Sequence, residues 1–215
     1  MSTTMRIAVL GTGSVGRAMA ARLAELGHDV RLGTRDPAAT RAREGWVEIE
    51  SVELTTFADS TDGAEVVVHA GNGLAALDLL AAAGDLSGTV LVDISNPLDF
   101  SAGFPPTLAV KDTDSLGEQI QRAFPDTRVV KTLNTLTAGL MVHPETLPEA
   151  TSVFVSGDDA EAKTIVAALL TELGHRDIID LGGIETARGT EMWLPLWLRL
   201  MGSLGTADFN LRIVR

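Results

Sequence analysis

Apolar residues fall in short continuous runs that alternate with helix-patterned segments along almost the whole chain. Residues 7–10 (IAVL), 30–33, 65–70 (EVVVHA), 89–94 (TVLVDI), 128–133 (RVVKTL) and 152–155 are runs of strand length, and a further strand is expected at 177–181. Helical patterns lie between them: one opening at the glycines after residue 10 and stopping at Gly27, a short one from Pro37, and one over 74–83. Continuous apolar strands separated by helices indicate a parallel sheet covered on both faces. The expected fold is therefore α/β, a doubly wound parallel sheet. Residues 46–56 carry no period that assigns them to an element. Residues 95–113 read as a long loop rich in Pro, Gly and Asp, opening with Ser95-Asn96-Pro97. It follows the 89–94 strand directly, at the edge where ligands of doubly wound sheets bind. Loops this long are often functional, although a plain surface loop fits the sequence equally well.

From Ile184 onward the chain is helical and unusually apolar around residues 192–198 (MWLPLWL). The stretch is too short, and too interrupted by Glu191, Pro195 and Arg199, to span a bilayer. A helix apolar on most sides should be buried. At the end of a small domain, a second copy of the chain is the expected cover, which makes a homodimer the expected assembly. The expected division is residues 1–182 as a nucleotide-binding domain and 183–215 as a C-terminal helical extension.

The most informative motif joins the first strand to the first helix. Gly11-Thr12-Gly13-Ser14-Val15-Gly16 is a G-x-G-x-x-G placed between a strand and a helix, with a second strand following, the context a dinucleotide site of the Rossmann type requires. Gly11 permits the tight turn, Gly13 lets backbone approach a pyrophosphate, and Gly16 lets helix pack on strand. The helix N-terminus supplies free N–H groups to the anion. At the end of the second strand an NAD site places Asp or Glu on the ribose hydroxyls. This chain has Thr34-Arg35 there. Arg offers a planar, permanently charged fork to a 2′-phosphate that an acidic side chain would repel. Thr34 adds a hydroxyl, and Arg41 and Arg43 are further candidates; the bland alternative pairs Arg35 only with Asp36. The cofactor expected is NADP(H).

Composition narrows the chemistry. Of the 215 residues 45% are hydrophobic and 21% charged, ordinary for a globular protein, and the formal net charge of −12 argues against nucleic acid or anionic membrane as partner. The N-terminal MSTTMRIAVL leads straight into the first strand with no room for a signal peptide, so a cytoplasmic location is expected. Cys and Tyr are both absent. That excludes thiolate chemistry, cysteine-ligated zinc and a Tyr-Lys proton relay. No metal site is expected. Of the four histidines, His28, His143 and His175 read as turn or surface residues, and His69 as a satisfied buried one. Lys131 and His69 are the best proton donors near predicted strand ends. So sparse a set suits hydride passing between two rings with little acid–base work from the protein.

The segments IAVLGTGSVG, GTR, DISNP, RVVKTLNTL, VFVSGDDAEAK and the apolar C-terminal helix together resemble the NADP oxidoreductases that depend on the deazaflavin coenzyme F420. KTLNTL is also similar to the NADP-binding part of six-transmembrane ferric reductases. The resemblance implies that Gly11, Thr12, Gly13, Ser14, Val15 and Gly16 hold the pyrophosphate and Thr34 and Arg35 the 2′-phosphate. It also implies that Ala70, Gly71, Asn72 and Ser95 adjoin the nicotinamide. Asn96, Asn134 and Thr135 are then the expected catalytic positions, orienting the rings with no obligate acid or base. Gly71 and Gly73 are expected to leave room for a flat polycyclic acceptor, a deazaflavin or flavin. Two alternatives stay open: reduction of a small carbonyl or imine, disfavoured because no Lys follows Lys163, and a non-enzymatic NADP(H) sensor.

Overall fold

A computed structural model describes residues 4–215. The elements follow the chain as β1 (Arg6–Leu10), α1 (Ser14–Glu25), β2 (Asp29–Thr34), α2 (Pro37–Arg41), β3 (Glu53–Thr56), α3 (Phe57–Thr61), β4 (Val66–His69), α4 (Ala76–Ala81) and β5 (Val90–Asp93). Then come β6 (Leu98–Asp99), β7 (Thr107–Leu108), α5 (Leu116–Ala123), β8 (Arg128–Thr132), α6 (Ala138–Val142), β9 (Ser152–Ser156), α7 (Ala160–Glu172), β10 (Asp177–Gly182), α8 (Ala187–Met192) and α9 (Leu194–Leu204). Local chemistry sets several boundaries. Gly27, at φ 92°, follows the end of α1 in a conformation that costs a side chain. Pro37 opens α2 while the Asp36 carboxylate accepts from the Ala39 amide at 2.9 Å.

The sheet has eight strands in the order β10-β9-β8-β5-β4-β1-β2-β3. The six from β3 to β8 are mutually parallel, and their side chains alternate between two cores. Ile7, Val9, Val68 and Val130 pack with α1, α6 and α7 on one face, whereas Ala8, Leu10, Val67 and Val129 pack with α3, α4 and α5 on the other. That is double winding.

The expectation of a parallel sheet fails at one end. β9 pairs antiparallel with β8, through Lys131–Ser156 and Thr132–Val155, and β10 follows β9 parallel. Residues 133–151, which include the five-residue helix α6, connect the two strands. The 46–56 stretch contains the edge strand β3, and the 95–113 loop contains the small antiparallel pair β6–β7.

In the C-terminal extension, Ile184 and Ala187 join the second core, but α9 buries only Leu194 fully. Leu196 and Leu204 are exposed, Trp197 stacks on Phe209 at 5.3 Å, and the tail returns to β9, where the Ser152 amide donates to the Leu211 carbonyl at 2.9 Å. Among the described residues no helix is long and apolar enough to cross a membrane.

Candidate functional site

The β1–α1 turn sits at the C-terminal edge of the sheet, beside the end of β4. Gly11 has φ 123°, and a Cβ there would come within 2.8 Å of the Ala70 carbonyl oxygen. A Cβ at Gly16 would lie 1.9 Å from the Gly11 carbonyl oxygen, so helix and turn meet only because both residues are glycine. Around Gly13 a Cβ would meet nothing within 4 Å. Gly13 caps α1 with no side-chain acceptor, which leaves the first-turn amides of α1 pointing at open space. These donors fit an anionic diphosphate.

Two clefts meet at Ala70, Gly71 and Asn72. The first, about 460 Å³, is lined by Gly11, Thr12, Gly13, Thr34, Arg35 and Arg43 among others. Asp36 is engaged in capping α2 and, among the described residues, makes no ion pair with Arg35. Thr34 lines this cleft, but its hydroxyl is turned inward onto Thr40 Oγ1 at 2.9 Å. Arg41 is committed to Glu48 (2.8 Å) and to the Leu54 carbonyl (3.2 Å), so it is not the helper the sequence suggested. Arg43 instead reaches the glycine turn and donates to Thr12 Oγ1 at 2.9 Å. The loop that carries it is pinned to α1 by Arg17, whose guanidinium lies 4.4 Å over the Trp46 ring and donates to the Val47 carbonyl at 2.8 Å.

The second cleft, about 550 Å³, runs from Val15 and Ala70 past Ser95 and Asn96 to Phe100 and Met141. Asn96 lines it, and Asn134 stands behind, 3% exposed. The two side chains interlock: Asn96 Nδ2 donates to the Asn134 carbonyl at 2.8 Å, and Asn134 Nδ2 donates to Asn96 Oδ1 at 2.9 Å. Leu133, buried with φ 56°, makes the turn that brings Asn134 there. Thr135 is buried beside it, outside the cleft lining. Asn72 Oδ1 accepts from the Leu74 amide at 3.0 Å. The two glycines do not open space for a ligand as expected. A Cβ on Gly71 would meet Leu79 Cδ1 at 2.4 Å, and one on Gly73 would meet the Asn96 carbonyl oxygen at 2.1 Å, so both gaps are filled by the protein's own packing.

Beneath this cleft lies a group of buried charges. Lys131 Nζ is 2.8 Å from Asp93 Oδ2 and 2.9 Å from Glu191 Oε1, and donates to the Ser95 carbonyl at 2.7 Å. Asp93 Oδ1 accepts from the Ser95 amide (3.1 Å) and hydroxyl (2.7 Å) and lies 2.9 Å from His69 Nδ1. Burial opposes charge on Asp93, but Lys131 and His69 outweigh it and hold its carboxyl below the ordinary range. Burial likewise opposes charge on Lys131, and the two carboxylates overcome it and push its ammonium above the usual value. Buried and engaged by Asp93, Glu191 and the Ser95 carbonyl, the Lys131 ammonium lines neither cleft.

Sequence reading singled out Lys131 and His69 but missed Asp93 and Glu191. The available signal was an acidic residue closing the apolar run TVLVDI beside a strand that carries a lysine, since buried charges come paired. His28 and His175 are not surface residues. His28 is buried 2.9 Å from Glu172, and His175 bonds the Met141 carbonyl at 2.9 Å, with burial lowering its pKa below the ordinary value. Neither they nor His143 line the two clefts. Among the described residues no cluster of His, Asp and Glu has the arrangement of a metal site.

Fold, glycine turn and paired clefts define an α/β protein of the dinucleotide-binding class. Residues 6–97 match the family described as NADP oxidoreductase coenzyme F420-dependent. The F420-dependent NADP reductase of Methanothermobacter marburgensis is 30% identical over 91% of this chain and 92% of its own. A crystal structure of a candidate F420-dependent NADP reductase from Arthrobacter sp. FB24 superposes with a TM-score of 0.96 at 59% identity, covering 98% of this chain and 100% of the other. Metalloreductase STEAP3 of Rattus norvegicus is 28% identical over 89% of this chain, which spans 38% of that protein. The chain belongs to the family of F420-dependent NADP oxidoreductases.

Proposed function

We propose that the protein moves hydride between NADP(H) and a deazaflavin or flavin ring, without a side chain acting as obligate acid or base. The observation that carries this reading is the continuity of the two clefts through Ala70–Asn72, one end cationic and the other apolar with amide edges. In the proposed assignment the turn of residues 11–16 holds the pyrophosphate through its amides from Thr12 onward, the Gly11 amide being bonded to the Gly33 carbonyl, and Arg35, with Arg43 beside it, takes the 2′-phosphate. Ala70, Gly71, Asn72 and Ser95 flank the nicotinamide. Asn96, braced by Asn134 with Thr135 next to it in the chain, orients the reacting ring. NADPH, when bound, supplies the hydride; the chain's residues bind, align and exclude water.

The relatives named F420-dependent NADP reductase support the deazaflavin as acceptor. The exposed leucines of α9 support a working homodimer, in which residues 183–215 pack on the nucleotide-binding domain and meet the partner. NADPH oxidation followed against a deazaflavin, free flavins and ferric chelates tests the reading. Rapid turnover with the deazaflavin is expected, and no turnover with any ring acceptor would refute it in favour of a small-carbonyl or imine reductase or a sensor.

A further inference from the structure

Glu191 belongs to α8, in the C-terminal extension, yet its carboxylate is 1% exposed and lies under the second cleft. Oε2 accepts from the Leu116 amide at 2.8 Å; Oε1 accepts from the Gly117 amide at 3.1 Å and faces Lys131 Nζ at 2.9 Å. Stability alone does not account for such an arrangement, because apolar side chains of similar volume do about as well as a buried ion pair. What the cluster does have is direction. Lys131 passes from Glu191 to the Ser95 carbonyl and to Asp93, and Asp93 in turn binds the Ser95 amide and hydroxyl. A second link leaves the neighbouring residue: the Thr190 carbonyl accepts from Asn134 Nδ2 at 3.0 Å, and that nitrogen also donates to Asn96 Oδ1. Both links end on Ser95–Asn96, the polar wall of the cleft.

We propose that Glu191 is a positioning residue: acting through Lys131, its carboxylate fixes where Ser95 and Asn96 stand, so the C-terminal extension sets the geometry of the reacting end without touching a ligand. Its effect on hydride transfer rests on the function proposed above; its effect on the Ser95–Asn96 wall does not.

The test compares Glu191→Gln and Glu191→Ala with the parent. Gln keeps the volume and one acceptor oxygen for Lys131 but turns an NH2 group on the Leu116 amide, donor against donor; Ala removes both acceptors. Amide hydrogen exchange in nucleotide-free protein should quicken about tenfold over residues 93–97 and stay unchanged over 11–17. Binding of adenosine 2′,5′-bisphosphate, a probe of the glycine-turn end, should change by less than about twofold. Single-turnover hydride transfer from NADPH to a deazaflavin should fall on the order of 100-fold, the effect of a small misplacement at a reacting centre. If the Ala variant does not fold, the Gln variant carries the comparison. Unchanged exchange over 93–97, or equal loosening of both segments, overturns the proposal, as do equal losses of bisphosphate binding and hydride transfer. A parent that binds the bisphosphate but moves no hydride refutes the proposed function instead, and exchange then decides on Glu191.

Discussion

Arg35 and Arg43 both line the 460 Å³ cleft beside the glycine turn. Arg43 is tied to Thr12, whereas Asp36, the nearest carboxylate in sequence to Arg35, is occupied by α2. A charge-assisted contact from Arg35 to a 2′-phosphate is worth roughly 1.5–3 kcal/mol. Arg35→Ala should therefore weaken NADPH binding about ten- to a hundred-fold while leaving NADH binding nearly unchanged. Calorimetric titration of both cofactors checks this, and equal weakening of both would show that Arg35 does not read the phosphate.

Gly73 supplies a second residue-scale test. Its missing Cβ is filled by the Asn96 backbone, which cannot swing aside, whereas at Gly71 the obstacle is the end of the flexible Leu79 side chain. Gly73→Ala should cost about 1–3 kcal/mol of stability, and Gly71→Ala less. Denaturant unfolding of the two variants decides it; the reverse ranking would mean the Ser95–Pro97 wall is soft.

At the scale of elements, the N-terminus of α5 gathers several polar partners. Ser115 Oγ accepts from the Glu118 amide at 3.1 Å, Asp114 is gripped by both ends of the Arg122 fork, and Glu191 covers the Leu116 and Gly117 amides. Hydrogen bonding to Arg122 holds the Asp114 carboxyl at about 2, and Asp93 is likewise held below its ordinary range. A carboxylate whose folded pKa lies below its unfolded value stabilises the fold above that unfolded value. That contribution is lost as pH falls through about 4 towards 2. Lys131 works in the opposite sense: its raised pKa stabilises the fold below about 10.5 and the contribution fades as pH climbs past it. Melting temperature measured across pH should show a plateau that drops on the acid side below about pH 4. A flat profile down to pH 2 would contradict the pairing.

The elements differ in how readily the sequence shows them. β1, β4 and β5 are buried on both faces and read as unbroken apolar runs, which is why their positions are evident. β3 is an edge strand with only Leu54 fully buried, so ELTT carries no such run. The direction of β9 is set by its tertiary pairing with β8, and its apolar run reads the same whichever way it is paired.

For the whole molecule, the sequence showed the cofactor end of the site because it is contiguous: one turn and one strand end, within the first 35 residues. The charge cluster joins Asp93 to Lys131 across 38 positions and Leu116 to Glu191 across 75, and only the tertiary fold brings those residues together. The resemblance marks Asn134, and the fold makes it the brace behind Asn96. Assembly belongs to this scale too. Leu196 and Leu204 remain exposed on a helix that buries only Leu194 within its own chain. A symmetric pairing through α9 would cover them twice over. Light scattering over a dilution series should give a dimer mass, and Leu196→Glu should shift it towards the monomer. A monomer mass at every concentration would remove α9 from any interface.

The proposed reaction is direct hydride transfer between two rings held in the cleft beside Asn96, with no protein acid or base in the path. NADPH carrying deuterium stereospecifically at the transferring position, reacted with the oxidised deazaflavin, tests it most directly. The label should appear on the reduced ring carbon of the acceptor, and the step should vary only shallowly between about pH 6 and 8. Label lost to solvent, or a deazaflavin left oxidised while NADPH stays bound, would contradict it.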